Sequence, residues 1–166
     1  MCLLHKDSQF YSLSFSEVLL FCLQLEQFEQ DFLFPLLIEK SFNSFPLVTN
    51  RKLYSLGKGY RIRLVILRMC FFYLRSKNFS TQTLRLDCVY SKNCCFALLN
   101  ENLFDFADLN LIDLVTHLSM RAHLKTKTLY PYLYTSALLS KDYQLAKILF
   151  SVNTLIQQTK RVLYEY

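Results

Sequence analysis

From Phe15 the apolar positions recur at helical intervals, with Phe15, Val18, Leu19, Cys22 and Leu25 on one face. Ser14 followed by Glu17 has capping-box spacing and sets the helix start there, while Pro35 ends the helix or soon follows its end. A second helix runs from Tyr60 to Arg75. Its residues Ile62, Leu64, Leu67, Phe71 and Leu74 leave it apolar nearly all round, the pattern of a helix buried in protein or in a larger assembly. Arg61, Arg68 and Arg75 stand seven apart on one face, with Lys58 a turn earlier. Gly57 and Gly59 read as a turn before this helix.

Farther on, Asp108 or Asn110 can cap a short helix through Leu111, Leu114, Val115 and Leu118. Between Leu118 and Leu124 apolar residues alternate (Leu118, Met120, Ala122, Leu124), which predicts a strand, and Leu84, Leu86, Cys88 and Tyr90 alternate likewise. The last helix has the clearest stripe, Leu145, Ile148, Leu149, Val152, Leu155 and Ile156, with Ser140 as its cap. Together these elements predict an α+β, helix-dominated fold.

Charge divides the chain more sharply than hydropathy. The total is +6, but residues 1–50 hold two basic and six acidic residues. Residues 51–100 hold ten basic residues against Asp87 alone, and residues 101–166 hold seven basic and six acidic. A polyanion within a Debye length meets the middle block, not the average. This gives an acidic helical extension over 1–50, a basic core over 51–136 and a C-terminal amphipathic helix over 137–166. The acidic Glu26, Glu29 and Asp31 suit the first segment to docking on a partner rather than touching nucleic acid.

Composition closes several function classes. With two glycines, Gly-rich phosphate loops are excluded in practice. Three histidines, His5, His117 and His123, form no catalytic arrangement, and the six-residue spacing of His117 and His123 does not fit a helical zinc pair. Cys88, Cys94, Cys95 and His117 could converge on a metal, yet no CxxC pair exists and reduced cysteines serve as small apolar residues. No cofactor, metal, small-molecule substrate or catalytic role is therefore expected, and no uncharged stretch is long enough to span a bilayer. Leu (34), Phe (15) and Tyr (11) are abundant while Gly is scarce, as uracil-rich codons in a compact organelle or parasite genome would produce, or as an apolar, aromatic-rich domain would show without any such bias. The first 31 residues, acid-rich, are unlike a transit peptide, so the protein is expected to be cytosolic or made inside the organelle where it works, and of these a mitochondrial, organelle-encoded protein is the expectation.

Arg85-Leu86-Asp87-Cys88-Val89-Tyr90 resembles the Arg-Leu-Asp-x-x-Tyr segment of the fourth small-subunit ribosomal protein family of bacteria and organelles. Leu114-Val115-Thr116-His117 is similar to that family's Leu-Val-x-His, and Lys125, Pro131 and Tyr132 fall close to its lysine and its Pro-Ser-Tyr turn. Upstream, Lys52-Leu53-Tyr54 and the basic helix after it resemble the approach to this segment. Where the family carries glycine after its histidine stands Leu118, and its Asn-Gly hairpin turn is His123-Leu124. The resemblance covers about residues 51 to 136. It implies an alpha-L RNA-binding core, a helix pair followed by strands, with Arg85, Lys92, His117, Arg121, Lys125 and Lys127 facing ribosomal RNA. Gly57-Lys58-Gly59-Tyr60-Arg61 is also similar to the Gly-x-Gly-Tyr-Arg of the sixth large-subunit ribosomal protein family.

Two functions follow as expectations. One is a structural protein of the mitochondrial small ribosomal subunit, gripping RNA through Lys58, Arg61, Arg68, Arg75 and the residues just named, with its terminal helices on neighbouring ribosomal proteins. Basic groups would release counterions from phosphates and interleaved aromatics would stack on unpaired bases. The other is a non-catalytic interaction subunit of another large organellar assembly, such as a respiratory complex, whose basic block meets acidic subunits or lipid head groups.

Overall fold

In a computed structural model, which describes residues 11–44, 50–77, 83–86 and 104–166, the first helix starts at Phe15, directly after Ser14, where the Ser14–Glu17 spacing predicts its start. Strand β1 (Tyr11–Ser14) leads into α1 (Phe15–Phe28), which passes through a π-helical turn (Glu29–Leu33) into α2 (Phe34–Ser44) as one unbroken rod. Pro35 does not end that rod. It lacks an N–H, and its ring crowds the carbonyl four residues back, so the turn before it widens and the Phe34 N–H bonds five residues back to the Glu29 carbonyl. The widened turn shifts the helical phase, and Glu29, Leu33, Leu37 and Ser41 share the buried face at steps of four.

Helix α3 (Asn50–Lys77) follows, then strand β2 (Thr83–Leu86), which pairs antiparallel with β1, Tyr11 opposite Leu86 and Ser14 opposite Thr83. A short α4 (Phe104–Ala107) precedes α5 (Leu111–Leu124), capped by the Asn110 side chain accepting from the Asp113 N–H at 2.8 Å. Helix α5 continues through a second π turn (Lys125–Leu129) into α6 (Tyr130–Leu139). Glu29-x-x-x-Leu33-Phe34-Pro35 and Lys125-x-x-x-Leu129-Tyr130-Pro131 share one pattern, so each π turn is set by a proline in the same place. The last helix, α7 (Tyr143–Tyr164), is capped by Asp142, which accepts from the Leu145 N–H at 3.1 Å.

The rods close into a ring of antiparallel neighbours. The α1–α2 rod packs on α3, α3 on α7, α7 on the α5–α6 rod, and that rod back on the first. Side chains fix the directions: Tyr60 reaches Glu29 and Arg68 reaches Gln27, while Lys52 and Tyr73 reach Glu165 and Asp142 at opposite ends of α7. Helix α3 and the α5–α6 rod therefore run parallel across the diagonal, and the chain between them joins opposite ends of the bundle.

The expected α+β class with an alpha-L core is overturned: the described residues form an all-α bundle whose one β feature is the four-residue β1–β2 ribbon. The segment read as a strand from Leu118 to Leu124 is helical. Leu118 and Ala122 are buried and Met120 is exposed, an i, i+4 pattern that alternation mimicked. With no glycine or Asn-Gly turn between Leu118 and Leu124, this helix has nothing to break on. The alternating segment at Leu84 and Leu86 is a strand, whereas Cys88 and Tyr90 lie outside the described residues. Ser140 ends α6 rather than capping α7. No described helix is long and apolar enough to cross a membrane.

Gly57 and Gly59 do not make a turn either; both lie within α3, at close helix crossings. A Cβ on Gly57 would meet the Phe34 ring at 2.9 Å, and one on Gly59 would meet Arg63 Nη1 at 2.9 Å and Thr159 Oγ1 at 3.2 Å. Alanine in a helix interior gains about 1 kcal/mol over glycine. Against a guanidinium held on two sides, however, overpacking costs about 1–3 kcal/mol. Gly59→Ala is therefore expected to lower the urea midpoint, and a raised midpoint would show that Arg63 can move aside.

Candidate functional site

The interior is divided by a layer of charge. On one side lies an apolar cluster that includes Phe15, Leu19, Leu67, Leu133, Leu149 and Val152, and on the other a cluster of Leu33, Leu37, Leu53, Phe106, Leu114 and Leu163. Between them all four rods contribute polar side chains: Glu26 and Glu29, Tyr60 and Arg63, Arg121 and Lys125, and Thr159. Lys125 Nζ donates to Glu26 Oε1 at 2.9 Å and to both Glu29 oxygens at 3.0 and 2.9 Å. Arg63 donates from Nε to Glu26 Oε2 at 3.0 Å and from Nη1 to Thr159 at 2.7 Å. Arg121 Nε and the Tyr60 hydroxyl donate to Glu29 at 3.1 and 3.0 Å. Glu29 and Lys125 are the first residues of the two π turns, so the turns meet at this ion pair.

Burial raises the Glu29 carboxyl, but Lys125 and Arg121 outweigh it and lower it from 4.5 to about 2. Burial and the neighbouring Glu29 push the Tyr60 hydroxyl well above its ordinary range, so it stays a donor. A carboxyl lowered on folding contributes stability above its unfolded value and loses it as pH falls through its folded value. Unfolding free energy is accordingly expected to be flat in Glu29's contribution near neutrality and to fall between pH 4.5 and about 2. Urea titrations across that window check this, and Glu29→Gln should flatten the slope.

The layer holds three cations and two carboxylates, and the grooves between α2 and α3 and between α6 and α7 are lined by other residues. Its chemistry is to fix register. One helix slid by a turn would place a charge in either apolar cluster, at a cost of several kcal/mol.

The outward face of α3 is different. Tyr54, Val65, Met69 and Phe72 are 67, 54, 63 and 69% exposed, with Ile62 beside them. Lys58 and Arg61 are exposed on the same face with no ion pair among the described residues, and Arg68 donates to Gln27 at 2.9 Å. Helix α3 carries eight basic residues and no acidic one.

The residues expected to touch RNA separate accordingly. Lys58, Arg61 and Arg68 come together on α3, while Lys127 is exposed on the diagonally opposed rod. Arg121 and Lys125 are 1% exposed and bound to carboxylates, which withholds them from phosphate in this fold. His117 is half-buried with its ring edge-on to Phe106 at 5.6 Å. The backbones of Arg75 and Arg85 lie in α3 and β2, their side chains outside the described part; Lys92, Cys88, Cys94 and Cys95 lie outside the described residues. Among the described residues no group of His, Cys, Asp and Glu could hold a metal ion.

Tyr60, Arg63 and Thr159 are site residues that the sequence did not point to, while Glu26 and Glu29, expected on a partner-docking face, are buried and paired within the layer. Their signal was phase: Glu26 and Glu29 continue the stripe of Cys22 and Leu25, and Arg121 and Lys125 continue that of Leu114 and Leu118. A charge on an apolar stripe needs a buried partner. No known protein family, curated protein or solved structure matches the chain. The class that fold and site define is thus an all-α, four-rod bundle locked by an ionic layer, with one long helix showing a basic and apolar face outward.

Proposed function

We propose that this chain is a non-catalytic docking subunit of a larger assembly, joined to a neighbouring protein by the outward face of α3. The observation that carries this is the run of exposed Tyr54, Ile62, Val65, Met69 and Phe72 beside Lys58, Arg61 and Arg68, on a helix with no acidic residue. Aromatics, Met and Arg with few carboxylates are the composition of interface centres, and contiguous apolar exposure of this kind marks interaction sites. The charged groups of the interior are spent on one another, which supports a scaffold rather than a catalyst. The uracil-rich codon signature favours an organellar assembly, whether a ribosome or a respiratory complex.

A second reading keeps ribosomal RNA as the neighbour. Lys58, Arg61 and Arg68 favour it, since three cations on one face are what a phosphate backbone neutralises. Val65, Ile62 and Met69 favour protein, because they offer no plane on which a base stacks. Gradient sedimentation of organelle lysate with and without ribonuclease separates the two. The protein reading expects the chain in a heavy fraction that survives ribonuclease; release by ribonuclease alone would overturn it in favour of RNA.

A further inference from the structure

Beside the N-terminal half of α3 lies a groove shared with α2, about 260 Å³ in volume, lined by Phe34, Ile38, Phe42, Leu53, Tyr54, Gly57 and Arg61. Resting on the docking reading above, we infer that this groove receives an acidic amphipathic helix of the partner protein, one apolar side chain seated in the groove and carboxylates on Lys58 and Arg61.

Shape supports the anchor. The walls are the Phe34 ring, Ile38 and Leu53, with half-exposed Phe42 and exposed Tyr54 at the mouth. Gly57 forms the floor: its missing side chain leaves backbone there, and even a Cβ would strike Phe34. The volume suits one or two large apolar side chains and not a folded segment, so the rest of the ligand must lie along the rim. An amphipathic helix does this, since residues at i, i+3 and i+4 put anchors and charges on adjoining faces.

Charge supports the sign. Arg61 lines the groove and Lys58 is exposed one turn before it on the outward face of α3, and α3 offers no acid to neutralise them. On α2 the charges are Glu39, exposed, and Lys40, which is turned to the Ala107 carbonyl at 3.0 Å. The α3 edge of the groove is therefore cationic, with Arg61 on the groove itself. Concavity argues against a bilayer, which wets a convex apolar face, and nucleic acid supplies no aliphatic anchor for a Phe-walled groove.

The test uses the purified full chain and a fluorescent synthetic helical peptide of about 16 residues, with Leu at i, i+4 and i+7, Glu on the adjoining face and Ala at the remaining positions, read by anisotropy. A copy with Lys in place of Glu, poly(U) and vesicles containing phosphatidylglycerol are the comparisons. The acidic peptide should bind with a micromolar Kd, weaken about tenfold in Arg61→Glu and in Phe42→Ser, and weaken with salt. No binding at about 100 μM would overturn the inference, as would equal affinity for the Lys peptide or stronger binding of poly(U) or vesicles at the same residues. Folding of each variant is checked by its urea midpoint. Failure of the peptide while α3 remains covered in the native assembly would sink this inference alone; an uncovered α3 would sink the docking reading itself.

Discussion

Glu29→Gln should lower the unfolding free energy by about 3–5 kcal/mol, while Lys125→Met should cost less than about 1.5 kcal/mol. The asymmetry follows from charge balance within the layer. Without Glu29, three buried cations face Glu26 alone, and Arg121 loses the carboxylate 3.1 Å from its Nε. Without Lys125, Arg63 still pairs with Glu26 at 3.0 Å and Arg121 with Glu29, two cations on two carboxylates. Methionine fills much of the lysine stem's volume and brings no charge. Urea unfolding of both variants at neutral pH measures the difference. If Lys125→Met proves as costly as Glu29→Gln, the excess positive charge is not what the layer tolerates least, and the balance argument is wrong.

The second large effect is on assembly and not on folding. Met69→Glu combined with Phe72→Glu should weaken docking by at least about 100-fold, since two central anchors contribute about 2 kcal/mol or more each. Both side chains are more than three-fifths exposed, so the isolated chain should keep its helical content and its urea midpoint. In a gradient the tagged double variant should move from the heavy fraction to the position of free chain. Retention with wild-type occupancy would mean that α3 faces solvent in the assembly.

What the sequence disclosed, and what it hid, follows from how local each feature is. The start of α1 at Ser14 and the stripe of α7 are set within a few residues, and both are where capping and periodicity put them. The strand expected at Leu118 to Leu124 failed because apolar residues at i+2 can sit in a helix if one of them is allowed outside, as Met120 is. Pro35 was expected to end a helix and Pro131 to lie in a turn. Their effect was to widen one turn and carry on, and the repeated Leu-aromatic-Pro pattern four residues after Glu29 and Lys125 was the clue.

The ionic layer was half legible. Its members lie in phase with apolar neighbours, but the pairing of Glu29 with Lys125 spans 96 residues and depends on which rods become neighbours. The same tertiary fact withdrew Arg121 and Lys125 from the expected RNA surface and left Lys58, Arg61 and Arg68 on it. Net charge counted along a chain does not distinguish a cation facing solvent from one already paired. The run of uncompensated basic residues in α3 was visible from the start, whereas its apolar companions could be sorted into inward and outward only by the bundle.

The most direct measurement is hydroxyl-radical footprinting of the chain inside its native assembly against the purified chain. Tyr54, Met69 and Phe72 are reactive residue types and are exposed in the isolated bundle, and Met120 on α5, 56% exposed and away from α3, is the internal control. The docking account expects strong protection of Met69, Phe72 and Tyr54 in the assembly, with Met120 oxidised as readily as before. Equal oxidation of Met69 and Phe72 in both states would contradict it.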